Sequence, residues 1–193
     1  CAVLFAAAAQ EPPEAAAIIE KYIEATGGRA AVEKLQTQVL TGTIEIVGKN
    51  VSGVATVYRA APNKALSIVE FSGLGKVEEG TDGEVAWSRS AGAGARLKEG
   101  SEKAFSLRGA IFHGDLNWRD HYVAQEKVEV ETVEGRACYK VVLAPKDRSD
   151  PIVRYYDRDS GFLVKIVMSM KSPQGEVTIE SLPSDYRQVG ELL

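Results

Sequence analysis

From about residue 37 to the end, apolar and polar residues alternate in short runs, and each run closes on a turn signal. A period of two sends successive side chains to opposite faces of a strand. Links of about two to six residues are too short to cross back over a sheet, so neighbouring strands must pair antiparallel. Roughly ten strands read this way, with one amphipathic helix before them and a second interrupting them. A sheet of that length with so few helices has to curl, and its hollow side is then filled by side chains or by a guest. The expected class is α+β, mainly antiparallel β.

The first helix spans 13–26. Ala15, Ile18, Ile19, Tyr22 and Ile23 share one face, Glu14, Glu20, Lys21 and Glu24 lie mostly on the other, and Gly27-Gly28 ends it. A further helical turn is expected at 29–35. Strands follow at 39–47, with Leu40, Ile44 and Ile46 on one parity, and at 51–59, 64–71 and 76–80. Asp82-Gly83 is a hairpin signal leading into 84–88, where Val85 and Trp87 share a face. Ala91-Gly92-Ala93-Gly94-Ala95 reads as a flexible break; no Walker lysine follows it, which excludes a phosphate loop. The second helix is expected over 101–113, with Ser101 as N-cap and Ala104, Phe105, Arg108, Ile111 and Phe112 at helical spacing. Strands resume at 122–132, 137–143, 152–156, 162–170 and 176–182. Phe162, Val164, Ile166, Met168 and Met170 form the longest one-sided apolar stripe in the chain.

A chain of 193 residues, 45% hydrophobic and 26% charged, is expected to form one domain with a real core. Its net charge of -4, without a Lys/Arg cluster, argues against a nucleic-acid partner. Residues 1–9 are apolar, uncharged and too short to span a bilayer. They resemble the tail of a truncated secretory signal cleaved after Ala9; a lipidated Cys1 and a plain apolar terminus are the alternatives. The domain is then 10–193, and the abrupt ending at 189–193 suggests that one or more final strands are missing. Only Cys138 lies in the folded body, where a small buried filler is expected.

Catalytic signals are sparse. His113, Asp115, Asp120 and His121 cluster in sequence, but they lack a metal-ligand spacing and a cysteine partner. No G-x-S-x-G elbow occurs. Asp82, Glu84, Asp157 and Asp159 sit in or beside turns, where carboxylates stabilise turn geometry. The expectation is no catalytic residue, no metal and no cofactor.

A run of motifs carries a resemblance: Tyr22-Ile23-Glu24-Ala25-Thr26-Gly27-Gly28, Thr41-Gly42-Thr43, Ala61-Pro62-Asn63-Lys64, Glu79 to Trp87, Gly135 to Val141, Tyr155-Tyr156-Asp157 and Gly161-Phe162-Leu163-Val164. In this order the chain resembles bacterial outer-membrane lipoprotein-sorting-like proteins, related to the Lol-type periplasmic carriers. The resemblance covers nearly the whole chain after residue 15. It implies a strongly curved, incomplete β-barrel, a half-barrel with helices 13–26 and 101–113 over its concave face. It also implies an exported, periplasmic or cell-envelope protein whose hydrophobic cavity receives a lipid or lipoprotein acyl chain, with transient membrane or envelope-protein contact. The expected cavity lining is Leu40, Ile44, Ile46, Tyr58 and Trp87 from the first strands, and Phe105, Ile111 and Phe112 from the second helix. Tyr139, Val141, Phe162, Val164, Ile166 and Met168 complete it. The alternative is a ligand-free structural or protein-interaction module of the envelope.

Overall fold

The computed structural model describes residues 11–172 and 175–193. The expected secretory tail and its cleavage after Ala9 lie outside the described residues, as do positions 173–174 of the last turn. The chain opens with α1 (Ala15–Ala25) and the short α2 (Arg29–Glu33). Helix α1 buries Ala15, Ile18, Ile19 and Ile23, the stripe its sequence carries at helical spacing.

Six strands follow as a meander: β1 (Thr37–Ile46), β2 (Val51–Ala60), β3 (Lys64–Phe71), β4 (Gly75–Thr81), β5 (Ala86–Ser90) and β6 (Gly94–Leu97). Each pairs antiparallel with the next, so sheet order equals chain order. The chain then leaves the sheet through α3 (Gly100–Gly109) and α4 (Trp118–His121). A second sheet holds β7 (Tyr122–Ala124), β8 (Glu129–Val133), β9 (Arg136–Pro145), β10 (Ile152–Asp157), β11 (Leu163–Ser172) and β12 (Gly175–Ser181). Its order is β12-β11-β10-β9-β7, with β8 also on β9. Strands β7 and β8 share one lane, pairing with opposite ends of β9. The two sheets do not close, and the molecule is an open half-barrel, mostly antiparallel β with few helices.

Three elements differ from the sequence reading. The expected break at 91–95 is the turn of a hairpin, held by the Ala93 N–H donating to Ser90 Oγ (3.2 Å), and it leads directly into β6. The expected second helix ends at Gly109, four residues early, because tertiary bonds replace helical ones. Arg59 takes the Gly109 and Ile111 carbonyls, and the Phe112 N–H donates to the Pro62 carbonyl (2.9 Å). The expected single sheet is divided in two, because residues 98–121 leave the ladder between β6 and β7.

The apolar core is equally divided. Ile18, Ile19 and Ile23 of α1 pack with Leu116, Trp118, Tyr122, Val128, Val141, Leu143, Ile152, Tyr156 and Leu163, all on or beside the second sheet. Lys21 fixes the helix to the β10–β11 turn, its Nζ donating to the Arg158 and Asp159 carbonyls at 2.8 and 2.9 Å. Among the described residues, Ala86 is the only buried apolar side chain in the first sheet. Cys138 is a buried free thiol, and burial raises its pKa.

Candidate functional site

The first sheet has one face toward α3. Arg96 on β6 donates from Nη1 and Nη2 to the Glu102 carboxylate at 2.8 and 2.7 Å, which fixes that face. Residues directly opposite in an antiparallel ladder share a face. The register runs from Arg96 through Ser88, Glu79, Ser67 and Val57 to Leu40. By the period of two, Ile44, Ile46, Val51, Val69, Phe71 and Val77 face the same way. All are only half-buried, and Leu40 is 44% exposed.

Small residues deepen this apolar face. A Cβ at Gly42 would meet no atom within 4 Å. At Gly53 it would sit 2.6 Å from the Glu70 carbonyl oxygen, so β2 approaches β3 there only because the position carries no side chain. Gly42, Gly53 and Ala55 thus form a strip without large side chains on this face, with Ile44, Val69 and Phe71 beside it.

Helix α3 lies against β4 and β5 of the first sheet and β11 of the second. It is pinned by charge more than by apolar packing: its one buried residue is Glu102. Lys98, with a side chain 4% exposed, donates to Ser106 Oγ (3.0 Å) and pairs with Glu79 (2.9 Å). Arg108 donates to Asp147 Oδ2 (2.7 Å) and Ser149 Oγ (2.6 Å) in the β9–β10 link. Arg59 Nη2 donates to the Gly109 and Ile111 carbonyls at 3.3 and 2.8 Å, and its guanidinium stands 5.6 Å from the Phe112 ring centroid. Each of these ion pairs keeps one partner more than 40% exposed, where water and salt screen it to a contribution of roughly 1 kcal/mol, whereas each fully buried aliphatic side chain contributes about 1.5–3 kcal/mol. Helix α3 is therefore held far more weakly than α1.

The Arg96 hydrogen bonds hold the Glu102 carboxyl below the usual carboxylate range, against its partial burial. Its folded pKa is depressed, so the stabilisation is in place above about pH 4.3 and is lost as pH falls through the folded value. Amide exchange along α3, corrected for intrinsic rates, should accelerate in that acid window before the second sheet loosens. Glu102→Gln should loosen α3 at neutral pH and flatten the acid response. An α3 that stays protected until global unfolding contradicts this.

The opposite face of the first sheet carries a different row: Val39, Tyr58, Leu66, Gly80, Trp87 and Leu97, one residue from each strand. The Trp87 ring lies on Gly80, where a Cβ would fall 2.7 Å from ring carbons. An apolar cleft of about 510 Å³ opens there, lined by Val39, Tyr58, Leu66 and Trp87.

The residues singled out from sequence fall into separate places. Leu40, Ile44 and Ile46 are on the α3 side of the first sheet. Tyr58 and Trp87 are on its other side, because Tyr58 pairs with Val39 and so cannot share a face with Leu40. Phe105 lies on α3, with the Arg108 guanidinium 6.0 Å from its ring centroid; Ile111 and Phe112 follow the helix. Val141 belongs to the second-sheet core, and Tyr139, Ile166 and Met168 pack against it. Val164 is buried beside the irregularity in the β10–β11 pairing, and Phe162 stacks on Tyr186 at 4.6 Å.

Of the His/Asp group, the His113 ring lies 3.1 Å from the Leu35 carbonyl and Asp115 pairs with Arg154 (2.7 Å), while Asp120 and His121 sit in α4. Among the described residues, no group of three or more metal-ligating side chains converges. Arg59, Arg96 and Arg154 are not among the residues singled out from sequence. The signal was present for two of them: Arg59 follows Val51, Ala55 and Val57 on one parity, and Arg154 lies between Ile152 and Tyr156 on another.

No family model matches the sequence, and no curated protein matches it. Solved structures do. A LolA superfamily protein from Nitrosomonas europaea covers 93% of this chain and 81% of its own, with a TM-score of 0.50 and 16% sequence identity. The chain has a LolA-type fold. At that identity the likeness is one of architecture. In this LolA-type half-barrel the core lies with α1 on the second sheet, and the face of the first sheet under α3 remains open.

Proposed function

We propose that this protein is a non-enzymatic carrier or sensor of acyl chains in the cell envelope, and that the chain lies on the α3 side of the first sheet. One observation supports this most: the face of the six-stranded sheet that is turned toward α3 carries Leu40, Ile44, Val57, Val69 and Phe71, and none of them is buried. Each methylene moved from water onto such a face contributes up to about 0.8 kcal/mol, enough for a long chain to compete with the ion pairs that hold α3. A periplasmic location and lipoprotein acyl chains as cargo accord with the LolA-type fold. No helix among the described residues is long and apolar enough to cross a membrane.

A second reading has its own observation. The cleft at Val39, Tyr58, Leu66 and Trp87 is apolar and faces away from α3, which suits a protein-interaction module of the envelope. Titration with the neutral fluorophore N-phenylnaphthylamine separates the two. Ile44→Glu should abolish saturable binding, because a carboxylate would have to be desolvated or protonated on the α3 side. Leu66→Glu should leave binding intact. The reverse pattern would move the ligand to the outer cleft, and a folded wild type that never binds the probe would favour the interaction module.

A further inference from the structure

Arg59 is a cation without a carboxylate. Among the described residues it has no ion-pair partner, and its Nε is buried with no hydrogen bond. Its polar contacts are two backbone carbonyls. The carboxylate that acts on it electrostatically is Asp115, which Arg154 already engages at 2.7 Å. Arg154 also has a buried, unpartnered Nε. Two guanidiniums, one from each sheet, thus reach the end of α3 and the segment after it, Arg59 at the Gly109 and Ile111 carbonyls and Arg154 at the Asp115 carboxylate. That carboxylate is 41% exposed, so solvent reaches the spot.

The position of Arg59 ties this excess charge to the apolar face. It lies on β2 two residues beyond Val57, on the same side as Leu40 and Ala55. A ligand whose polar end met Arg59 would have its chain over Val57 and Ala55, toward Ile44 and Phe71. We propose that the ligand is a single-chain amphiphile ending in an oxyanion, and that its carboxylate or phosphate takes Arg59 from the Gly109 and Ile111 carbonyls. This rests on the acyl-chain reading above. A charged acceptor makes hydrogen bonds roughly twice as strong as a neutral carbonyl, and the planar guanidinium suits two-point contact with an oxyanion. A neutral chain gains the apolar contact but leaves Arg59 on its carbonyls.

The test is displacement of bound N-phenylnaphthylamine at mildly alkaline pH by dodecanoate, dodecyl phosphate, dodecanol, acetate or inorganic phosphate. Dodecanoate and dodecyl phosphate should each displace the probe at about tenfold lower concentration than dodecanol; if one alone does so, it names the oxyanion. Acetate and inorganic phosphate should displace nothing. Arg59→Gln should remove the preference, so that dodecanoate and dodecyl phosphate become no more potent than dodecanol on that variant, and Arg59→Lys should retain part of it, so the proposal stands if either variant folds and behaves so. Equal potency of dodecanoate, dodecyl phosphate and dodecanol on the wild type overturns it, as does a preference that survives Arg59→Gln. Displacement by acetate or phosphate alone would mean a free-anion site and also overturns it. Displacement by dodecanol without that preference would leave the acyl-chain reading standing alone, whereas no probe binding at all would remove both.

Discussion

Leu143→Ala is expected to destabilise the protein by about 2–5 kcal/mol, and Ile44→Ala by less than about 1 kcal/mol. Both remove the bulk of an aliphatic side chain from the third-last position of a ten-residue strand. They differ in what surrounds the side chain. Leu143 is fully buried among the residues that join α1 to the second sheet, so truncation leaves a cavity whose walls relax only in part. Ile44 is half-buried on the open face of the first sheet, beside Gly53 and Phe71, so little packing is lost. Urea unfolding of the two variants, with unchanged m-values, reads the difference directly. Equal losses would mean that the first sheet carries a core of its own and has no vacant apolar face.

The second large effect concerns the charge pair between the sheets. Asp115→Asn should cost about 2 kcal/mol, below the ~3–5 kcal/mol of a fully buried pair because Asp115 is 41% exposed. Arg154→Met should cost less, since it removes the cation together with the need for a partner. Burial alone would lower the Arg154 pKa, but Asp115 and the Tyr156 hydroxyl hold it well above the usual arginine value, so it stays charged. The surroundings are desolvated: burial pushes Tyr186 up to about 12 and raises Tyr22 and Tyr156. A guanidinium left there without Asp115 has hydroxyls but no counter-charge. If Asp115→Asn proved milder than Arg154→Met, solvent rather than the protein would be satisfying Arg154.

Local pattern made much of this fold legible. Strand β3 occupies the expected 64–71, because turn residues bound it on both sides. Helix α1 and the α1 face follow from the spacing of Ile18, Ile19 and Ile23. The face of β2 was not legible: Val51 and Val57 sit on one parity and Val54 and Tyr58 on the other, so alternation alone does not choose between them. Only pairing with β1 and the reach of Arg59 to Gly109 and Ile111 decide it. Strand β6 is Gly-Ala-Arg-Leu, too short and too small to show a period. The end of α3 and the split between the sheets depend on contacts between residues some fifty positions apart in sequence, as from Arg59 to Gly109, and no local window contains them. Of the candidate site, Leu40, Ile44 and Ile46 were legible as an apolar stripe, while the charged residues that pin the helix over it were not.

Photolabelling with a long-chain acyl probe bearing a diazirine near its tail tests the central claim most directly. After irradiation and peptide mapping, adducts should fall on the α3 side of the first sheet, at Leu40, Ile44, Val57, Val69 or Phe71, and excess unlabelled chain should suppress them. Adducts confined to Val39, Tyr58, Leu66 and Trp87, or scattered without suppression, would contradict the account.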